Sequence, residues 1–316
     1  MSKIYNSLEE MVGKTPLLKL NGLMQKLHLH ANILGKCEFY NPIFSIKDRV
    51  ALNMIKKAPF SKINADTIFI EATSGNTGIA LAAFCAARGY KLIIVMPENM
   101  SREKIALIRQ FGAEVMLTPA ADGMNGAIKK VEILKSRSDN IIEFKQFENP
   151  ANVEAHKLTT GVEILEDTDG AVDAVVCGVG TSGTLTGVAS TLRTVNPDLY
   201  VMAVEPAESP VLSGGEKGPH VIGGIGAGFV PPLYERELVS EVYPVAGKAA
   251  LEMTKTVAAS DGLPVGISAA AAICGAIALA KRPEMAEKNI VVILPDSVER
   301  YLSNPFYDEN EQTEYL

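Results

Sequence analysis

The sequence predicts an α/β fold made of two doubly wound domains. Short apolar segments rich in β-branched residues alternate with segments of helical periodicity, and this alternation is typical of βαβ units that build parallel sheets. The predicted strands are apolar on both faces, as expected where helices cover both sides of a sheet. Because two such series occur, we expect one domain over residues 1–147 and a second over residues 148–316, with a cleft between them.

Eight segments have the composition and length of buried strands. In chain order they are ANILGKCEF, TIFIEA, KLIIVMP, AEVMLTP, IIEFKQ, AVVCGVG, YVMAVEP and NIVVILP. Helical patterns lie between many of them, among them NTGIALAAFCAARG, SREKIALIRQFG and EILKS. The Ala-rich stretch ISAAAAICGAIALA is shorter than the ~20 residues that a membrane span needs, so we predict a buried helix there.

Composition excludes several classes of protein. The chain of 316 residues is 47% hydrophobic, which predicts a substantial core, and its net charge of -7 without a long basic block argues against a nucleic-acid surface. No apolar signal-peptide core occurs in MSKIYNSLEEMVGK. We expect a cytoplasmic protein with no membrane segment and no metal site. Its four cysteines, which form no CxxC pair, are expected to be reduced thiols: Cys37, Cys85, Cys177 and Cys274.

Lys47 stands in NPIFSIKDR, where a predicted loop enters the helical pattern ALNMIKKA. Most lysines are solvated on the surface, but Asp48 and Arg49 follow at once and are placed to hold this one still. The turn TSGNTG, which begins at Thr73, offers backbone N–H groups and hydroxyls at a helix N-terminus and therefore suits a small anion. An N-cap of small residues chosen only for the turn is an equal alternative.

A second glycine-rich turn, GVGTSGT, follows the strand AVVC. Its glycines let the backbone approach a phosphate closely, and Thr184 stands where a Walker loop needs lysine. Gly178, Gly180 and Gly183 also satisfy GxGxxG, and Glu205 ends the next predicted strand. An NAD-dependent oxidoreductase therefore stays open as an alternative, as does a purely structural turn.

The segment LPDSVERYLS brings Asp296 and Ser297 to the carboxyl end of the strand NIVVI, where ligands of open α/β sheets bind. Taken alone, it reads as an ordinary N-cap. Together, however, the motifs supply an amine, a phosphate-sized loop, a small-anion turn and a hydroxyl. Pyridoxal phosphate needs a lysine, a phosphate site and a group facing its ring nitrogen, whereas a dinucleotide site has no use for Lys47.

Five segments resemble, in this order, the motifs of the cysteine synthase/cystathionine β-synthase family of fold type II pyridoxal-phosphate enzymes. They are NPIFSIKDR, EATSGNTGIALA, GVGTSGTLTGV, GPHVIGGIGAGFVP and LPDSVERYLS. The resemblance runs from GKTPLLKLN to RYLS, which is nearly the whole chain. It implies a tryptophan synthase β-like fold of two α/β domains, with residues 13–35 packed on the second domain.

The resemblance also implies a role for each matching residue. Lys47 would carry pyridoxal 5'-phosphate as a Schiff base and act as general base once it is free. Asn76 would contact the ring hydroxyl of the cofactor, and Ser297 would face the pyridine nitrogen. The implied phosphate contacts are Gly180, Thr181, Ser182, Gly183 and Thr184. The implied substrate contacts are Thr73, Ser74, Thr77, Gln146 and Gly228.

The implied reaction is a β-replacement that makes L-cysteine and acetate from O-acetyl-L-serine and sulfide through an aminoacrylate. Implied partners are a second copy of the chain in a homodimer and the C-terminal tail of serine acetyltransferase. Cystathionine β-synthase or O-phosphoserine sulfhydrylase activity on the same fold stays open, as does a non-catalytic role in binding that tail. The sequence departs from the family pattern at Ser182, Ala269, Ala270 and Val298.

Overall fold

The computed structural model describes residues 4–73, 75–303 and 305–307. Within these ranges the chain forms a six-stranded sheet and a four-stranded sheet, both flanked by helices. The strands are β1 (Leu17–Lys19), β2 (Asn32–Cys37), β3 (Ile68–Ala72), β4 (Lys91–Pro97), β5 (Glu114–Thr118), β6 (Ile141–Glu143), β7 (Ala174–Gly178), β8 (Tyr200–Pro206), β9 (Glu241–Val245) and β10 (Asn289–Leu294). The α-helices are α1 (Asn21–Lys26), α2 (Lys47–Lys56), α3 (Asn76–Ala87), α4 (Arg102–Gln110), α5 (Gly123–Lys135), α6 (Pro150–Ala155), α7 (Gly161–Asp167), α8 (Gly183–Leu192), α9 (Gly247–Asp261) and α10 (Ile267–Ala280).

The four-stranded sheet is fully parallel, in the order β5-β4-β3-β6. Successive residues of β3 enter different cores, as the pleat of a strand requires. Phe69 packs among residues of α2 and α3 on one face, and Ile70 packs with Val131 of α5 on the other. Both faces are therefore buried, which explains why this strand reads as a continuous apolar run.

The six-stranded sheet has the order β1-β2-β10-β7-β8-β9, and only β1 runs antiparallel to its neighbour. Val292 of β10 packs in the core shared with α9 and α10, whereas Val291 packs in the core shared with α7 and α8. Residues 17–37 thus contribute β1 and β2 to this sheet, although they precede the four-stranded sheet in the chain. The domain boundary near residue 147 stays a prediction.

All eight predicted strands are present, and the prediction of an α/β fold is confirmed. The Ala-rich stretch forms α10, whose alanines are almost all fully buried. Ala270 continues that helix with a regular bond from its N–H to the carbonyl of Gly266. In the described part of the chain, no helix is both long and apolar enough to cross a membrane. Sequence reasoning missed β1, β9 and α9.

Candidate active site

Three of the motifs singled out in the sequence lie at or just beyond the carboxyl end of a parallel strand. TSGNTG follows β3, GVGTSGT includes the end of β7, and Asp296 follows β10. Hydrogen bonds bring these ends together across the two sheets. Asn76 Nδ2 donates to Asp296 Oδ2 at 2.6 Å, and the N–H of Ile46, which precedes Lys47, donates to the carbonyl of Pro295 at 2.9 Å. The two sheets therefore share one cleft.

Lys47 begins α2 and is partly buried at the base of this cleft. Its ammonium group has no hydrogen-bond or ion-pair partner among the described residues. Burial lowers the pKa of Lys47, and the neighbouring Cys177, Asp296 and Glu38 oppose that shift only in part. Burial also raises the pKa of Cys177 to about 12, which keeps that thiol neutral. The lysine therefore offers an amine that is easier to deprotonate than one in water.

The residues after Lys47 anchor the first turn of α2. Asp48 accepts the N–H of Ile43 at 2.6 Å. Arg49 is almost fully buried and donates to Glu38 at 2.7 Å and to Glu163 of α7 at 2.6 Å. Burial alone would raise the pKa of Glu163, but its bonds to Arg49 lower that pKa to about 2. Asp48 and Arg49 thus fix the segment that carries the free amine of Lys47.

The loop after β7 forms a tight cup in front of α8. A Cβ atom on Gly180 would lie 2.4 Å from the carbonyl oxygen of Gly224, so only glycine fits there. A Cβ atom on Gly183 would lie 2.0 Å from Asn152 Oδ1. Ser182 has a left-handed backbone (φ 68°), a conformation that favours glycine over serine. The ten-residue helix α8 then directs its free N–H groups at the cup.

Residues of α6 and of the π-helical turn His156–Thr160 support the cup from behind. Asn152 Nδ2 donates to Thr181 Oγ1 at 2.9 Å. His156 Nε2 and Thr184 Oγ1 are 3.1 Å apart, and His156 Nδ1 lies 3.0 Å from Thr160 Oγ1. Burial, together with Lys47 and Arg49, lowers the pKa of His156 well below its usual range. A neutral imidazole therefore orients the Thr184 hydroxyl.

The predicted substrate turn is held by the segment after β6. Thr77 Oγ1 donates to Gln146 Oε1 at 2.7 Å. Glu71, at the end of β3, accepts the N–H of Gln146 at 3.0 Å and that of Lys145 at 2.8 Å. Thr73 is buried at the mouth of the same turn, and Ser74 lies outside the described residues. The structure therefore brings Thr73, Thr77 and Gln146 together, and their role in binding substrate stays a prediction.

The remaining predicted residues line the other side of the cleft. Ser297 is buried just beyond β10, and its hydroxyl has no partner within the ranges that the structure describes. Gly228, with a left-handed backbone (φ 79°), lines a small cavity together with Gly180 and Glu205. Glu205 is occupied, because it accepts the N–H groups of Leu212 and Ser213. It is therefore not free to bind a ribose, which removes the main support for a dinucleotide site.

These features fit pyridoxal phosphate. The loop that forms the cup can pack this closely on Gly224 and Asn152 only because Gly180 and Gly183 lack side chains, and it leaves the N-terminus of α8 open to an anion. An unpartnered amine at Lys47 suits an aldehyde carbon, and an unpartnered hydroxyl at Ser297 suits a ring nitrogen. Asn76 adds an amide N–H donor at the N-terminus of α3.

Sequence reasoning missed the polar side chains that hold the site together. They are Glu71, Asn152, His156 and Arg300, and it noted Asp296 at a ligand-binding strand end or as a helix cap but not as a partner of Asn76. One signal was visible for Glu71, which is the only charged residue in an otherwise apolar predicted strand, TIFIEA. A charge inside a buried strand needs a specific partner. The others gave no local signal, because the partners that place them in the site lie far away in the sequence, such as Thr181 for Asn152 and Asn76 for Arg300.

Comparisons with known proteins agree with this geometry. Residues 8–296 match the family described as "Pyridoxal-phosphate dependent enzyme". Cysteine synthases of Staphylococcus aureus strains are 46% identical over 308 residues, covering 96% of this chain and 98% of theirs. A cysteine synthase structure from Entamoeba histolytica has a TM-score of 0.93 at 43% identity, covering 97% of this chain and 91% of that one. O-acetylserine sulfhydrylase isoform 3 of the same organism has a TM-score of 0.93 at 44% identity, with coverages of 97% and 92%.

Proposed function

The chain belongs to the pyridoxal-phosphate-dependent enzyme family, and we propose that its cleft is the site at which it makes L-cysteine and acetate from O-acetyl-L-serine and sulfide. The observation that carries the assignment of the site is the amine of Lys47. It is partly buried, has a lowered pKa, and has no partner among the described residues. It stands between a phosphate-sized cup and a turn suited to a carboxylate.

Four groups of residues would hold the cofactor. Lys47 would bind its aldehyde carbon, the loop from Gly180 to Thr184 its phosphate, Asn76 its ring oxygen and Ser297 its ring nitrogen. When bound, pyridoxal phosphate withdraws electrons from the α-carbon of a joined amino acid, so that the α-proton and the β-substituent leave more easily. Ser297 offers a neutral hydroxyl, whereas a carboxylate there would keep the ring nitrogen protonated and strengthen this withdrawal.

The substrate is held by its carboxylate in the TSGNTG turn. Thr73, Ser74 and Thr77 supply hydroxyls, and Gln146 supplies its amide. The N-terminus of the 12-residue helix α3 favours the negative charge. Binding of the carboxylate in this turn brings the α-proton close to Lys47, which removes it as general base. Acetate then leaves from the β-carbon, sulfide adds there, and Lys47 returns the proton to the α-carbon.

The proposal includes the partners and the compartment. A homodimer is supported by Leu158 and Val162, which lie four residues apart on one helical face and expose 61% and 36% of their surface. The C-terminal tail of serine acetyltransferase would present a carboxylate to the donors of the TSGNTG turn. The four cysteines are free thiols, which suits the reducing cytoplasm.

Borohydride reduction followed by peptide mapping tests the assignment of Lys47. The native protein should yield one cofactor adduct, on the peptide that contains Lys47. Lys47→Ala should lose the adduct and turnover, whereas the control Lys56→Ala, on the exposed side of the same helix, should keep both. An adduct on another lysine would contradict the assignment, and saturable NADH binding without a bound chromophore would contradict the choice of cofactor.

The choice of substrate is tested separately by the visible spectrum. O-acetyl-L-serine should shift the absorbance of the bound cofactor to longer wavelength, and sulfide should restore it. A response to serine or O-phosphoserine but not to O-acetyl-L-serine would keep the cofactor site and remove the proposed substrate.

A further inference from the structure

Two residues of opposite charge hold the amide of Asn76, one at each end. Its Nδ2 donates to Asp296 Oδ2 at 2.6 Å, and its Oδ1 accepts from an Arg300 nitrogen at 2.8 Å. A carboxylate only accepts hydrogen bonds, and a guanidinium only donates them. If the amide were turned over, its oxygen would face the Asp296 carboxylate and its NH2 group would face the Arg300 guanidinium, so neither hydrogen bond could form. The charges of its two partners therefore allow only one orientation of the Asn76 amide.

Both partners are themselves fixed in place. Asp296 is 1% exposed, and its Oδ2 also accepts the Tyr301 hydroxyl at 2.5 Å. Its side chain packs directly on Gly266, where a Cβ atom would lie 2.1 Å from Asp296 Oδ1. Arg300 is 6% exposed and also donates to the carbonyl of Ile43, near Lys47. Neither group can turn away from Asn76 without breaking a second buried contact.

One donor of Asn76 is left unused. Nδ2 carries two hydrogens, and only the one directed at Asp296 has a partner within the described ranges. Asn76 is only half-buried. Because its Oδ1 is occupied by Arg300, the amide can present only an N–H donor to the cleft. An acceptor bound beside it would be favoured most if that acceptor carried negative charge.

We propose that Asp296 and Arg300 are positioning residues that hold the Asn76 amide as a donor to the ring oxygen of the cofactor, and so keep that oxygen deprotonated. This inference rests on the proposed function, in which Asn76 faces the ring oxygen. It assigns a role in the cofactor site to two residues of the segment after β10 that do not themselves contact the cofactor. A hydrogen bond to the charged form of a group favours that form.

The substrate-free absorption spectrum reads this protonation directly, without turnover. Asp296→Asn combined with Arg300→Gln replaces the strict acceptor and the strict donor by amides that tolerate either orientation of Asn76. The variant should lose at least half of the visible absorbance at neutral pH in favour of the near-ultraviolet band, and its cofactor dissociation constant should rise about tenfold, the loss of about one hydrogen bond to a charged group. Glu299→Gln removes a negative charge from an exposed position in this segment and should leave both readouts unchanged.

A double variant separates orientation from packing. Asn76→Asp combined with Asp296→Asn keeps a hydrogen bond between the two positions and lets Arg300 pair with the introduced carboxylate. The group facing the cofactor is then an acceptor only, so the protein should fold while the visible band is lost. This variant also carries the test if Asp296→Asn/Arg300→Gln fails to fold.

Wild-type spectra and cofactor affinity in Asp296→Asn/Arg300→Gln, or a wild-type spectrum in Asn76→Asp/Asp296→Asn, would overturn the inference. The proposed function fails differently. If Asn76→Ala itself leaves the spectrum and the cofactor affinity unchanged, then Asn76 does not face the ring oxygen. In that case the assignment of Asn76 is wrong, whatever Asp296 does.

Discussion

At the scale of single residues, the sequence indicated the amine but not what immobilises it. Lys47 stood out because Asp48 and Arg49 follow it, and the structure gives both neighbours a partner. The partners of Arg49 lie 11 and 114 residues away, at Glu38 and Glu163. Composition and periodicity report on local structure only, and so they could not reveal a buried ion-pair network formed by three elements.

Glu163→Gln tests the strength of this network. Arg49 keeps Glu38 as a partner in this variant, but it loses its hydrogen bonds to the charged Glu163 carboxylate, which contribute about 1.5–3 kcal/mol. We expect the free energy of unfolding at pH 7 to fall by about 2 kcal/mol, measured by chemical denaturation. The matched control Glu166→Gln, on the exposed side of the same helix, should change it by less than about 0.5 kcal/mol.

The difference in free energy of unfolding between wild type and Glu163→Gln should depend on pH, in a direction set by the pKa of Glu163. The pKa of Glu163 is lowered from 4.5 to about 2 by its bonds to Arg49, which outweigh burial. A lowered pKa contributes stability that is present above pH 4.5 and is lost as the pH falls toward 2. The gap between wild type and Glu163→Gln should therefore narrow between pH 4.5 and 2. A gap that stays constant over this range would contradict the network.

At the scale of elements, strands that are buried on both faces were predictable and edge strands were not. The strands β4 and β8 match their predicted segments, because their β-branched composition and their nearly complete burial both favour a strand. The strand β1 has only three residues, and β9, at the edge of the sheet, carries an exposed Pro244 and is half-buried over its first three residues. Pairing with a neighbour, rather than local preference, makes these two segments strands.

The start of α8 gives a prediction at this scale. In Gly183→Ala the new Cβ atom would meet Asn152 Oδ1 at 2.0 Å, so Asn152 must move. Asn152 also donates to Thr181 and to the carbonyl of Gln146, and its shift should open the phosphate cup. We expect the cofactor dissociation constant to rise more than tenfold, measured by equilibrium dialysis.

Ser190→Ala provides the control for that variant. Ser190 lies in the same helix and donates only to the carbonyl of Thr186. Loss of the Ser190 hydroxyl should leave the affinity for the cofactor unchanged. Equal affinities of Gly183→Ala and Ser190→Ala would show that the cup does not depend on the position of Asn152.

At the scale of the whole molecule, a few side chains tie the two sheets together around the cleft. Asn76 bonds to Asp296 and Arg300, and Asn152 bonds to Thr181. The two-sheet α/β architecture followed from the order of the predicted strands. The hydrogen bonds that join the two sheets could not be predicted in this way, because each connects residues that only the fold brings together. They lie beside the substrate turn and the cup, so ligand binding and the contact between the sheets are expected to be linked.

Thr73→Ala tests this link, because a substrate held by Thr73 on one side and by a cofactor anchored at the cup on the other would bridge both sheets. Bridging contacts favour closure, which excludes water from the reacting atoms. In the wild type, O-acetyl-L-serine should protect the N-terminal turn of α3 and the cup from hydrogen exchange. Losing a hydrogen bond to a carboxylate costs about 1.5–3 kcal/mol, so Thr73→Ala should need at least tenfold more substrate for the same protection and keep its cofactor.

Thr67→Ala is the control, because Thr67 is a buried threonine at the other end of β3, and this variant should respond like the wild type. Equal responses of the two variants would show that the TSGNTG turn does not hold the substrate that closes the cleft.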